Sequence, residues 1–229
     1  MTRESLTIGG KNCRIFSLAS PAALLVRPMG LHEEPQIDRE AELIAGNAGK
    51  PFVLAAFEIR NWEEELTPWP DSAISASPAV GTHARTTLEY IEQKLLPRLK
   101  ESFGSSLPII IGGYSLAGLF ALWAAAETDL FRGVAAASPS VWIKNWNDYA
   151  ASRPTNARQI FLSLGKREEK TRNKAIAQVG NNLRSYHSLL ETQIGADNTA
   201  LVWNDGGHFN DSTRRTADAF AWNLKKLTE

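Results

Sequence analysis

The stretch that most constrains the fold is Gly112-Gly113-Tyr114-Ser115-Leu116-Ala117-Gly118, because of what stands on either side of it. Upstream, Leu107-Pro108-Ile109-Ile110-Ile111 is short, β-branched and bounded by proline, the pattern of a buried strand. Downstream, Leu119-Phe120-Ala121-Leu122-Trp123-Ala124-Ala125-Ala126 is apolar and rich in helix formers, the pattern of a buried helix. A chain that passes so quickly from one to the other must turn sharply. Small residues are what such a turn allows: Gly113 and Ala117, two positions either side of Ser115, are where a bulky side chain collides with strand or helix. The turn lifts the serine hydroxyl above the edge of the sheet and aims the helix N-terminus at it. Backbone N–H groups there can hold a developing negative charge. The bland alternative is a glycine-rich turn whose serine merely caps the helix.

The segments around this turn alternate. Arg14 to Ser17 and Ala22 to Val26 read as strands joined through a Ser20-Pro21 break, Pro35 to Gly46 as a helix, and Pro51 to Ile59 as a buried strand. A polar, proline-bearing loop runs from Arg60 to about Pro78. Leu88, Ile91, Leu95 and Leu99 then place one stripe on a helix over Thr86 to Phe103, with a kink or an early end expected at Pro97. After the elbow come a strand over Gly133 to Ser138, a strand over Gln159 to Leu164, and helix over Asn173 to Ile194. A strand over Ala200 to Trp203 and a final helix over Thr213 to Leu227 close the chain. Strands alternating with helices call for a mainly parallel central sheet with helices on both faces. With the serine turn in its middle, this is the arrangement of an α/β-hydrolase fold. The 229 residues suit a single domain over 1–229, with no repeat or linker.

Composition removes several function classes. Equal numbers of basic and acidic residues, 25 of each, give no field to attract nucleic acid or an anionic membrane. Cys13 is the only cysteine, so neither an intrachain disulfide nor a thiolate metal cluster can form. The first residues lack the basic region and apolar core of a signal peptide, and no apolar run is long enough to span a bilayer, so a cytoplasmic protein is expected. Seven tryptophans are many for this length. Trp62, Trp69 and Trp142 fall in segments read as loops or short helices over the sheet edge, where such rings wall substrate pockets. Packing the loops down is their ordinary alternative.

A serine hydroxyl is a poor nucleophile at neutral pH. It needs an imidazole to take its proton, and the imidazole needs an acceptor on its other nitrogen. In hydrolases built on such an elbow these partners follow in the order serine, acid, histidine. Of the four histidines only His187 and His208 come after Ser115. His187 lies within a helical segment, whereas His208 follows a strand and a Gly206-Gly207 turn that can carry an imidazole over the strand ends. The acid is expected beyond the strand before the last, where Glu168 and Glu169 stand together. Neighbours cannot both face His208, and Glu168 is preferred, the other being solvated or paired with a cation. Asp205 is too close to His208 to reach its far ring nitrogen. The oxyanion needs two backbone donors: Leu116, just after the serine, and Leu31 or Met29 after an early strand, since Pro28 has no N–H.

Gly-Tyr-Ser-Leu-Ala-Gly-Leu at 113–119, Ala136-Ala137-Ser138-Pro139-Ser140-Val141-Trp142, Ser163-Leu164-Gly165 ahead of Glu168, and Gly207-His208-Phe209 together resemble the esterase D-like branch of the α/β-hydrolases. That group includes feruloyl, S-formylglutathione and siderophore esterases and mycolyltransferases. The likeness runs from about Leu24 to the C-terminus. It implies Ser115 as nucleophile, His208 as base and Glu168 as acid, and gives Ser138 a structural place. Two departures stand out: Ala117 replaces the last glycine of G-x-S-x-G, and Met29-Gly30-Leu31 replaces a His-Gly or Asp-Gly pair, which points to Leu31 as the second donor. Asn61-Trp62 and Leu66-Thr67-Pro68-Trp69 resemble the family's loop beside the site.

The expected function is a serine esterase acting on a small-molecule ester, with no metal or cofactor required. A thioesterase, acyltransferase or amidase would use the same acyl-enzyme, and a binding module on a hydrolase fold is the non-catalytic rival. Zero net charge and tryptophan-rich loops suggest an uncharged or aromatic ester. Oligomeric state is not readable from these residues.

Overall fold

The computed structural model describes residues 1–77 and 80–227, so the loop boundary expected near Pro78 and the last two residues lie outside it. The chain opens with a hairpin, β1 Thr2–Ile8 and β2 Lys11–Ser17, paired antiparallel from Ile8↔Lys11 upward. Its two-residue turn is Gly9-Gly10, both at positive φ (55° and 86°), the conformation a tight hairpin of this kind demands. β1 is a strand the sequence pattern does not signal: it is a mostly exposed edge, so its residues are polar and carry no apolar period.

The remaining elements follow the expected alternation. They are β3 Leu24–Gly30, α1 Ile37–Ala48, β4 Val53–Ile59, α2 Trp62–Leu66, α3 Ala84–Tyr90, α4 Leu96–Phe103, β5 Ile109–Tyr114, α5 Leu116–Glu127, β6 Gly133–Ala137, α6 Trp146–Ser152, β7 Gln159–Gly165, α7 Val179–Ile194, β8 Thr199–Asn204 and α8 Ser212–Lys226. α1 starts and ends later than expected and is closed by left-handed Gly49 rather than near Gly46. The disruption attributed to Pro97 falls one turn earlier. Ile91–Leu95 forms a wide π turn in which the Leu96 N–H reaches Ile91 O, and Pro97 then opens α4 where its missing N–H costs nothing.

All eight strands form one sheet in the order β1-β2-β4-β3-β5-β6-β7-β8. β1 and β2 are antiparallel to their neighbours, and the rest run parallel. Every residue of β3 to β7 is buried, as a sheet covered on both faces requires. Alternate residues feed two cores. Leu24, Val26, Val53, Ala55, Ile109 and Ile111 pack with helices α3, α4, α5 and α7, while Leu25, Leu54, Ala56 and Ile110 pack with α1 and α8. β3 and β5 share only three ladder pairs, ending at Val26↔Ile111, whereas β3 stays paired with β4 as far as Gly30↔Ile59. The sheet therefore opens between β3 and β5 at their C-terminal ends, where such sheets place their ligands. Among the described residues no helix is long and apolar enough to cross a membrane.

Candidate active site

Ser115 stands between the last residue of β5 and the first of α5 with φ 57° and ψ −119°, a conformation costing about 1–3 kcal/mol in a residue with a Cβ. Backbone bonds on both sides hold it there. Its N–H donates to Ala137 O at 3.1 Å, and its carbonyl accepts from Leu119 N at 3.0 Å and Ser140 N at 3.2 Å. The turn is as tight as the small residues suggest. A Cβ on Gly113 would lie 2.5 Å from the Ala117 Cβ, and one on Gly118 would lie 3.1 Å from Gly113 O.

Two segments build the hydrogen-bonded line that reaches this hydroxyl, one after β8 and one after β7. The loop after β8 carries His208 across the strand ends. Gly206 takes φ 96°, the Gly207 N–H donates to Asn210 Oδ1 at 2.8 Å, and the Tyr114 hydroxyl donates to the His208 carbonyl. His208 Nε2 lies 3.0 Å from Ser115 Oγ, and Nδ1 lies 2.7 Å from Glu168 Oε2. An ionised carboxylate can only accept, so the Nδ1 position bears the proton and Nε2 is left to accept from the serine O–H. Glu168 follows β7, and its other oxygen accepts from Gly165 N at 2.7 Å, Ser138 Oγ at 2.8 Å and Arg215 Nη1 at 3.0 Å. Burial alone would raise this carboxyl. The hydrogen bonds from His208, Gly165 and Ser138 outweigh it and hold the group below the ordinary carboxylate range.

Glu169 points elsewhere, to a two-pronged pair with Arg184 at 2.9 and 3.0 Å, and Asp205 pairs with Lys166 at 2.7 Å on the surface. Ser138 is occupied as a donor to Glu168. Arg215 is a residue that the sequence reading does not pick out. Only 2 % exposed, it also reaches the Tyr114 hydroxyl at 3.1 Å and the Asp205 carbonyl at 2.8 Å. A signal for it existed: an arginine in the first turn of the last helix opposes the helix dipole and so asks for a local partner.

Of the two expected oxyanion donors, one adjoins the serine in the chain and the other follows β3. Leu116 is the first residue of α5, so its N–H has no acceptor within the helix. Leu31 directly follows β3, beyond the end of the β3–β5 ladder at Val26↔Ile111, and its side chain is exposed. The turn carrying Leu31 is tied down from beneath. Glu33 accepts the Gly30 N–H at 3.0 Å and is gripped by buried Arg27 at 2.7 and 2.9 Å, which also binds Glu40 at 2.9 Å. Met29 lies inside β3, in register with Glu58.

A cavity of about 300 Å³ opens beside Ser115 and His208, with Trp142, Ile176 and Val179 among its walls. Trp62 and Trp69, expected to share that role, are not among the described residues lining it. Trp62 packs edge-on to His32 with ring centroids 5.2 Å apart, over Gly30 on the other flank. Trp69 donates its indole N–H to Lys144 O at 2.9 Å and lies 5.1 Å from the Tyr149 ring, which fastens its loop onto α6. An indole N–H beneath a loop is satisfied by a carbonyl, and here that carbonyl lies away from the cavity.

A mostly parallel sheet whose central strand turns through a strained serine into a buried helix defines an α/β-hydrolase. Residues 55–214 match the family described as "Putative esterase", more than half of the chain, and the chain belongs to this family of carboxylic ester hydrolases. No curated protein sequence matches it. Among solved structures, it is similar to an IroE-like serine hydrolase from Shewanella oneidensis (TM-score 0.77, 16 % identity, covering 100 % of this chain and 82 % of that one). It is also similar to the siderophore hydrolase EstA from Aspergillus nidulans (TM-score 0.73, 18 % identity, 95 % and 91 %). A third is the enterochelin esterase from Shigella flexneri (TM-score 0.71, 16 % identity, 99 % and 59 %). At these identities the likeness is one of fold.

Proposed function

We propose that the protein hydrolyses its ester through an acyl-enzyme on Ser115. The observation that carries this reading is the line of two hydrogen bonds, 3.0 Å from Ser115 Oγ to His208 Nε2 and 2.7 Å from His208 Nδ1 to Glu168 Oε2. Ser115 Oγ attacks the ester carbonyl as its proton passes to Nε2. The carbonyl oxygen becomes an oxyanion held by the Leu116 and Leu31 N–H groups. The imidazolium then gives that proton to the departing alkoxide, and the alcohol leaves. Water attacks the acyl carbon, His208 takes its proton and returns it to Ser115 Oγ, and the carboxylic acid is released. Glu168 keeps the ring in the productive tautomer and stabilises its charged form without itself taking up the proton. Each oxyanion donor in such a site is worth about 10²–10³-fold in rate.

Hydrolysis of p-nitrophenyl esters from acetate to octanoate, with a siderophore ester in the panel because one of the similar structures is a siderophore hydrolase by name, tests the reading. Ser115→Ala and His208→Ala are each expected to lose about 10⁴-fold or more in kcat. A fluorophosphonate should label the parent at Ser115 and leave Ser115→Ala unlabelled. Turnover that survives Ser115→Ala overturns the assignment.

A further inference from the structure

The zero net charge of the chain conceals an uneven distribution beside the site. The segment 166–174, Lys-Arg-Glu-Glu-Lys-Thr-Arg-Asn-Lys, follows β7 and borders the cavity. Its acids are already engaged, Glu168 with His208 and Arg215 and Glu169 with Arg184, and Lys166 is paired with Asp205. Arg167, Lys170, Arg172 and Lys174 are exposed and, among the described residues, have no ion pair or side-chain hydrogen bond. Of these, Arg167 lines the cavity that contains Ser115 and His208. Glu168, already held by His208 and Arg215, also lines it together with Ser138, Ser140 and Thr171, and its apolar walls include Trp142, Val179 and Phe209, the last 95 % exposed and edge-on to the His208 ring at 5.3 Å.

An exposed phenylalanine and an unpaired guanidinium lining one small cavity make sense together if a ligand covers the first and neutralises the second. We infer that Arg167 selects an ester with an apolar or aromatic body and an anionic group, carried on the acyl or the alcohol part. The inference rests on the esterase reading of this site. The guanidinium supplies a planar pair of donors for a carboxylate or similar anion, and Trp142 and Phe209 cover the body between that anion and the ester carbonyl. Lys170, Arg172 and Lys174 add an attractive field at the entrance, which raises the encounter rate and fades with salt over a screening length of about 10 Å at 0.1 M.

Two isosteric pairs test this. For the alcohol side they are 4-acetoxybenzoate and 4-acetoxybenzamide; for the acyl side, the monoethyl ester of terephthalate and ethyl 4-carbamoylbenzoate. Each kcat/KM is divided by that ester's own alkaline hydrolysis rate, which removes intrinsic reactivity. In at least one pair the parent is expected to favour the carboxylate by about fivefold at low salt, the size of a partly exposed ion pair. That preference should shrink as sodium chloride rises to about 0.5 M. Arg167→Gln should bring the ratio to about one and Arg167→Lys should retain part of it. The ratio is its own control, since a misfolded variant loses both esters alike. Equal rates for both members of both pairs, with esters hydrolysed, overturn the inference and leave the serine mechanism standing. A preference that Arg167→Gln does not alter also overturns it. No hydrolysis of any of the four by folded parent counts against the esterase reading and the inference together.

Discussion

Arg215 and Glu168 form the buried ion pair on which His208 depends, and each holds other groups as well. Arg215 Nη1 is shared among Glu168, Ser138 and Tyr114, and its Nη2 holds the carbonyl of Asp205 at the start of the histidine loop. The orientation of one imidazole is thus set from both ends, by a carboxylate at Nδ1 and by a cation that fixes both that carboxylate and the loop. Glu168→Gln keeps the shape but presents no anion to stabilise the imidazolium. It is expected to lower kcat by about 10²–10⁴-fold with little change in KM, measured on the best p-nitrophenyl ester. A KM effect alone would show that Glu168 shapes the pocket rather than the base.

At the scale of elements, the turn between β5 and α5 joins the two segments by packing as well as by the chain. A Cβ on Gly113 would lie 2.5 Å from the Ala117 Cβ, so Gly113→Ala must push the helix away from the strand that leads into Ser115. A loss of about 1–3 kcal/mol in urea denaturation is expected, together with reduced activity. Ala117→Gly removes the opposing methyl at a helix-propensity cost of about 1 kcal/mol. In the double variant the two changes should compensate each other in part, a coupling that a double-mutant cycle reads directly. Strict additivity would place the strain elsewhere. The turn after β3 is built differently: charge rather than size holds it. Burial raises the Glu33 carboxyl, but Arg27 more than offsets this and keeps it low, so Glu33 remains an anion able to grip the Gly30 N–H below Leu31.

The whole molecule gathers several such carboxylates. In Glu33, Glu65, Glu127 and Glu168 burial acts to raise the pKa, and hydrogen bonds and neighbouring cations lower it further than burial raises it. Each therefore contributes stability that is present above its unfolded value and is lost as pH falls through its lowered folded value. Glu40 is the exception: burial outweighs Arg27 and raises it, so its contribution is present below the unfolded value and is lost as pH rises through the folded one. With four groups against one, the urea midpoint is expected to fall between about pH 6 and pH 3, where carboxylates take up protons. A midpoint that is flat across that window would mean these pairs are equally formed in the unfolded chain. What the sequence alone determined lies close together along the chain. The small residues around Ser115, the apolar runs that became β3 to β7 and the Gly206-Gly207 turn before His208 each follow from sterics and period over a few residues. The tertiary structure decided the rest, because those choices are made between distant segments. Ser115 and His208 are 93 residues apart. Glu168 rather than Glu169 faces His208 because Arg215 and Ser138 hold one while Arg184 on α7 draws the other away. Trp69 left the pocket for the Lys144 carbonyl, and polar β1 became a strand because β2 offered it a ladder. Adjacent residues, and residues of one type, have the same local preferences, and only the groups folded against them give one a role and deny it to the other.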